Sequence, residues 1–168
     1  MRTVCLHGAE STGKTVLAGR LGYPWVPEHG RAYCERHGTG LVMADLLAIA
    51  EGQAAENRKA MAAAPPLLVL DTDQLMTAAW AQMLFGAVPE ALMAYPKADL
   101  YLLFEPDVPW FDDGTRCFGE HEKRMRFAAM AEEVLVRAKV PFVRIAGGWE
   151  RRERLARAAI GDLLALEV

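Results

Sequence analysis

The stretch "RTVCLHGAESTGKT", Arg2 to Thr15, decides how the rest of the chain is read. A short, mostly apolar run stops at Gly8, and a second glycine, Gly13, stands directly before Lys14 and Thr15. Residues 8–15 fit the pattern G-x-x-x-x-G-K-[ST] without a gap. Glycines at its two ends let backbone N–H groups turn inward and form a concave nest for phosphate oxygens. A helix opening near Gly13 adds its positive dipole end. Lys14 can then reach the β and γ phosphates as a point charge, and the Thr15 hydroxyl can ligate magnesium. An ordinary glycine turn before a helix would not need this spacing. The expectation is a Walker A loop in which Gly8, Ala9, Glu10, Ser11, Thr12, Gly13, Lys14 and Thr15 hold ATP or GTP with magnesium.

Four further apolar runs continue the pattern set by residues 3–7. Leu67 to Leu70 ends at Asp71, Leu100 to Phe104 ends at Glu105-Pro106, and Pro141 to Ile145 ends at Gly147-Gly148. Tyr23 to Pro27, with Pro24 and Pro27 inside it, suits an edge strand. Runs without alternation are what a sheet covered on both faces requires. Helical patterns separate them: Lys14–Leu21, Met43–Met61, Asp73–Leu84, Glu120–Ala138 and Trp149–Leu166. In the second of these, Leu46, Leu47, Ala50, Ala54 and Asn57 trace one face; in the last, Leu155, Ala159, Leu163 and Leu166 do so. Strands alternating with helices predict a parallel five-stranded α/β sheet with right-handed crossovers. Ligands of such sheets bind beyond the carboxyl ends of the strands, which here are Gly8, Glu28, Asp71, Glu105 and Gly147.

With 168 residues the chain is read as a single domain. A net charge of −3 without a long basic run argues against a nucleic-acid partner. Three widely spaced cysteines without a C-x-x-C pair suit reduced thiols better than disulfides or zinc. No apolar run approaches the roughly 20 residues that span a bilayer, and Gly8 and Glu10 interrupt any signal-peptide layout. A cytoplasmic protein is therefore expected.

The acids at the strand ends come next. Leu67-Leu68-Val69-Leu70-Asp71 has the shape of a Walker B strand, whose aspartate holds magnesium; the alternative is a capping aspartate, because Asp71-Thr72-Asp73 precedes a helix. Asp73 is open among an N-cap, a supporting contact to the metal site and a substrate contact. Glu28, in "WVPEHGRAY", can act as a general base toward a hydroxyl nucleophile or simply open a surface helix. Arg31, one turn on, can bind an anion or orient the acceptor. His29 is read as a bystander. "WFDDGTR", residues 110–116, leads into a helix carrying Lys123, Arg124 and Arg126, so residues 107–127 suit a helical lid closing over transferring phosphates; a solvated helix with i, i+4 pairs is the alternative. Trp149, after Gly147-Gly148, can stack on a nucleotide base or pack into the core. Met76, Trp80 and Met83 are assigned to the core.

Taken together, "GAESTGKT", "PEHGRAY", "LDTDQLMTAAW", "PWFDDGTR" and the "R…F" of "GEHEKRMRF" resemble the ribosylnicotinamide kinase domain of NadR-type proteins, a P-loop kinase. The tandem of the DTD and WxDDGxR segments is the specific part of the likeness. The resemblance implies a nucleoside/nucleotide-kinase-like fold and transfer of the ATP γ-phosphoryl group to the 5′-hydroxyl of nicotinamide riboside, giving nicotinamide mononucleotide. In that family the kinase follows an adenylyltransferase domain; a P-loop starting at residue 8 implies the kinase step alone. The resemblance also implies catalytic roles among Lys14, Glu28, Asp71, Asp73, Arg116 and Arg124, with Arg116 also on the nucleotide. Thr15 and Asp71 would hold magnesium, and Glu28, Arg31, Asp73, Asp112 and Asp113 would face the acceptor or the lid.

Two other readings compete: a kinase of another nucleoside or mononucleotide, and a regulatory P-loop ATPase with no small-molecule acceptor. A GTPase would want an N-K-x-D base reader before the last strands, and none is present.

Overall fold

A computed structural model describes residues 1–112, 114 and 116–166. Among them the elements run β1 (Arg2–Gly8), α1 (Lys14–Leu21), β2 (Trp25–Val26), α2 (His29–His37), α3 (Met43–Met61), β3 (Leu67–Asp71), α4 (Gln74–Phe85), α5 (Glu90–Ala94), β4 (Leu100–Phe104), α6 (His121–Ala138), β5 (Phe142–Ile145) and α7 (Trp149–Ala165). All strand pairs are parallel, and their spatial order is β2-β3-β1-β4-β5. The P-loop strand is therefore central. Its register pairs Leu6 with Asp71 and Gly8 with Phe104, which brings the carboxyl ends of β1, β3 and β4 level with one another.

The inner strands are apolar without alternation because both of their faces are covered. Cys5, Leu68, Leu70, Tyr101 and Leu103 point into one core, packed against Leu46, Ala50, Leu75 and Phe127 of α3, α4 and α6. Val4, Leu6, Val69, Leu102 and Phe104 point into the other, against Leu17 and Leu21 of α1 and Ala156 and Ile160 of α7. Successive strand residues go to opposite sides, and each side has its own helices.

Three expectations are corrected. β5 is an edge strand, with Val143 and Arg144 exposed instead of covered; Arg144 reaches Glu105 at 2.6 Å and also pairs with Glu132. On α3 the buried face is Leu46, Ile49, Ala50, Gln53, Ala54 and Asn57. Leu47 lies one residue, about 100°, off that stripe and is exposed. On α7, Leu166 lies beyond the helix end and is 77% exposed. The helices α2 and α5 add to the sequence assignment. α5 is a single turn, too short to show a 3.6-residue period.

Candidate active site

The loop between β1 and α1 takes its shape from two glycines. Gly8 has φ +130°, and a Cβ there would stand 2.5 Å from the Phe104 carbonyl oxygen of the paired strand β4. Gly13 has φ +86°, and its Cβ would stand 2.6 Å from the Trp149 ring. Backbone conformation and close approach thus both demand glycine at these positions. Thr12, buried, donates its hydroxyl to Ala9 O at 2.9 Å and closes the turn from inside. Lys14 Nζ lies over the loop and donates to Gly8 O at 2.9 Å and Ala9 O at 2.8 Å. Burial lowers the Lys14 pKa, while Glu28, Asp71 and Glu10 oppose that shift.

One strand away, Thr15 Oγ1 donates to Asp71 Oδ2 at 2.5 Å. Asp71 is 1% exposed, and its other oxygen, Oδ1, is buried without a hydrogen-bond partner. An orphaned carboxylate oxygen beside a hydroxyl offers the hard oxygen donors that magnesium prefers. Among the described residues no group of three or more His, Cys, Asp or Glu could hold a metal. Magnesium commonly takes one or two carboxylates and completes its shell with phosphates and water.

A cavity of about 280 Å³ opens from this loop. Lys14, Thr15, Glu28, Arg31, Asp73 and Arg116 are among its polar lining residues; Leu46, Ile49, Met76, Trp80 and Phe127 are among its apolar ones. Met76 and Trp80 therefore face the cavity as well as the core to which they were assigned, whereas Met83 packs on the core alone. Trp80 stacks on Phe118 at 5.0 Å and packs on Phe127 at 4.9 Å, joining α4, the 107–127 segment and α6 in one aromatic wall.

Glu28 sits at the start of α2. Burial first, then the neighbouring Asp71 carboxylate, pushes its carboxyl up to about 7, against the pull of Lys14 and Arg31. Gln53, buried in α3, holds the corner around it. Its Oε1 accepts from His29 N at 2.8 Å, and its Nε2 donates to Pro27 O at 3.2 Å and to Asn57 Oδ1 at 3.1 Å. Gln53 was missed in the sequence; polar residues at 53 and 57 on an otherwise apolar stripe were the available signal. His29 belongs to the scaffold, with Nδ1 2.8 Å from Glu56 Oε1.

Asp73 is buried, and both its oxygens are engaged. Oδ1 accepts from Leu75 N at 2.9 Å as the N-cap of α4, and Oδ2 accepts from the Tyr101 hydroxyl at 2.5 Å. The same hydroxyl accepts from Ala98 N at 3.2 Å. Tyr101→Phe should therefore leave two buried polar atoms without this partner and cost about 1–3 kcal/mol, read as a Tm lower by roughly 2–10 °C. An unchanged Tm would show that these bonds contribute nothing net.

The 107–127 segment rests on the P-loop. Glu10 Oε2 accepts from Cys117 N at 3.0 Å and Phe118 N at 3.3 Å, and Ser11 Oγ accepts from Phe111 N at 2.7 Å and Arg116 Nη1 at 3.1 Å. Arg124, 7% exposed, donates to Val108 O at 2.6 Å and Ser11 O at 3.2 Å. Its guanidinium thus anchors the segment; Lys123 instead pairs with Glu120 at 3.2 Å. Asp112 is exposed, accepts from Gly114 N at 2.8 Å, and does not line the cavity. Asp113 lies outside the described residues. The structure thus gathers Lys14, Thr15, Glu28, Arg31, Asp73 and Arg116 around one space, with Asp71 buried and hydrogen-bonded to Thr15.

A phosphate-type loop on the central strand of a parallel sheet, with the acid of the next strand against its hydroxyl, defines a P-loop nucleotide-binding fold. Within that class the chain belongs to the AAA domain family, whose model matches residues 3–152. It is 32% identical over 158 residues to the trifunctional NAD biosynthesis/regulator protein NadR of Escherichia coli (strain K12), covering 86% of this chain and 38% of that protein. The Salmonella typhimurium protein of the same name gives the same figures. The chain thus spans well under half the length of these curated relatives. Among solved structures, NadR protein in complex with NR superposes with a TM-score of 0.79 at 25% identity, over 96% of this chain and 51% of that one. The thymidylate kinase of Ehrlichia chaffeensis superposes with 0.67 at 10% identity, over 96% and 98% of the two chains. That of Candida albicans gives 0.68 at 13%, over 99% and 92%. At those identities the likeness to the thymidylate kinases is one of fold, the P-loop kinase fold. No helix among the described residues is long and apolar enough to cross a membrane.

Proposed function

We propose that this chain is a phosphotransferase that moves the γ-phosphoryl group of ATP, bound with magnesium, to the 5′-hydroxyl of nicotinamide riboside. One observation carries the proposal: Lys14 and Thr15 of the loop, Glu28, and the aromatic side chains Trp80 and Phe127 all line one cavity. The similarity to NadR supplies the identity of the acceptor.

In this reading the loop amides and Lys14 bind the β and γ phosphates. Thr15 and Asp71 hold magnesium, which when bound neutralises charge on the phosphate oxygens. Residues 107–127 act as a lid within one kinase domain, with Arg116 reaching the transferring group and Arg124 anchoring the lid to Ser11 O. Arg31 orients the acceptor. The acceptor oxygen bonds to the γ phosphorus as the bond to the β–γ bridging oxygen breaks, and ADP departs. The hydroxyl proton passes to Glu28. Asp73 is the poorer base because Tyr101 and Leu75 occupy both its oxygens; it shapes the acceptor wall. Asp112 belongs to the lid.

The test is ADP release across a panel of nucleosides and mononucleotides. Nicotinamide riboside should stimulate it at least tenfold above slow hydrolysis, with nicotinamide mononucleotide as product. Stimulation by a different acceptor overturns the substrate. Hydrolysis indifferent to every acceptor overturns the kinase.

A further inference from the structure

The most completely buried cation of the described chain is not in the cavity. Arg152 of α7 is 2% exposed and does not line the cavity. An arginine so far from water is costly unless each nitrogen has a partner. Here each has one. Nε donates to Gly147 O at 2.7 Å, Nη1 to Thr12 O at 3.3 Å, and Nη2 to Glu105 O at 2.9 Å and to the Asp107 carboxylate. Asp107 also accepts from Gly147 N at 2.7 Å. One side chain thus ties together the P-loop, the end of β4 and the turn between β5 and α7. The Trp149 indole, whose ring centre is 5.9 Å from the guanidinium carbon, also lies against Gly13.

We infer that Arg152, held by Asp107, is a positioning residue of the phosphate cradle. The Thr12 carbonyl and the Gly13 N–H belong to one trans peptide, so they point in opposite directions. Holding that carbonyl outward on Arg152 keeps the Gly13 N–H turned the other way, into the nest where phosphate oxygens sit. Without the guanidinium the peptide is free to rotate, and the loop has to be ordered at the moment of binding. The inference rests on the reading of this loop as the nucleotide site, and it concerns phosphate binding, not the acceptor.

The experiment compares wild type with Arg152→Met, Arg152→Lys and Asp107→Asn. Dissociation constants for MgADP are measured by calorimetry, KM for nicotinamide riboside by ADP release, and melting by circular dichroism. Arg152→Met should weaken MgADP at least tenfold while KM for the riboside moves less than threefold. Arg152→Lys, which keeps the charge and one donor group, should recover part of the loss. Asp107→Asn, at a half-exposed position, should weaken MgADP about threefold and carries the test if Arg152→Met does not fold. Unchanged MgADP affinity in the folded variants overturns the inference, as does a parallel loss of both ligands that merely tracks lost stability. A wild-type protein that binds no magnesium nucleotide overturns the reading of the site itself. A wild type that binds MgADP but phosphorylates no riboside overturns the acceptor alone, and the MgADP affinities of the variants then decide the inference.

Discussion

Alanine at Lys14 should lower riboside-dependent ADP release by about three orders of magnitude, at the upper end of what removing one preorganised electrostatic contact does. The lysine ammonium now donates to Gly8 O and Ala9 O, so it already lies over the loop proposed to take the phosphates. It is also the cation against which Glu10, Glu28 and Asp71 are balanced. Its removal takes away the cation that offsets Glu28, Asp71 and Glu10, so nucleotide affinity should fall together with turnover. The fold should survive, because the lysine is only partly buried and its two acceptors are loop carbonyls. Steady-state turnover, MgADP calorimetry and melting on the same preparation check this. A Lys14→Ala protein with near wild-type turnover would falsify the assignment of the loop.

Glutamine at Glu28 should lower turnover by about 10²–10⁴-fold, the usual range for removing a general base. The pH behaviour makes the test specific. With its carboxyl pushed up to about 7, Glu28 accepts a proton only in the ionised form, so kcat/KM of the wild type should rise with pH and level off above 7. The residual activity of Glu28→Gln should lack that rise. Stability runs the opposite way. The folded pKa lies above the ordinary 4.5, so the folded state binds the extra proton. The resulting stabilisation is complete below 4.5 and is lost as pH rises through about 7. Above pH 7 the wild type therefore keeps a partly buried carboxylate near that of Asp71, and Glu28→Gln should melt higher by roughly 3–8 °C, for about 1–2 kcal/mol. Less activity with more stability is the signature of a group held out of its preferred state for function. A variant that loses stability instead would mark Glu28 as a structural helix start.

The elements were readable where their signals are local. The strands at 67–71 and 100–104 are unbroken apolar runs, and α1 and α3 fall at the expected residues. Errors arose where a neighbour decided the outcome. The exposure of β5 depends on its place at the sheet edge. The N-cap role of Asp73 was among its readings, but the bond that uses its second oxygen comes from Tyr101, 28 residues away. Met76 and Trp80 carry the same apolar signature whether they face a core or a cavity, so no sequence pattern could separate the two.

What the sequence determined by itself is the loop proposed as the phosphate cradle. Eight consecutive residues build it from their own backbone, and the demand for glycine at 8 and 13 is written into the chain as residue types. The tertiary structure alone decided what surrounds the cradle. Glu10 meets Cys117 across 107 positions, and Arg152 meets Thr12 across 140. Those side chains belong to ordinary charged residues on helices and loops. Their partners are main-chain amides and carbonyls, which every residue carries and no sequence pattern marks.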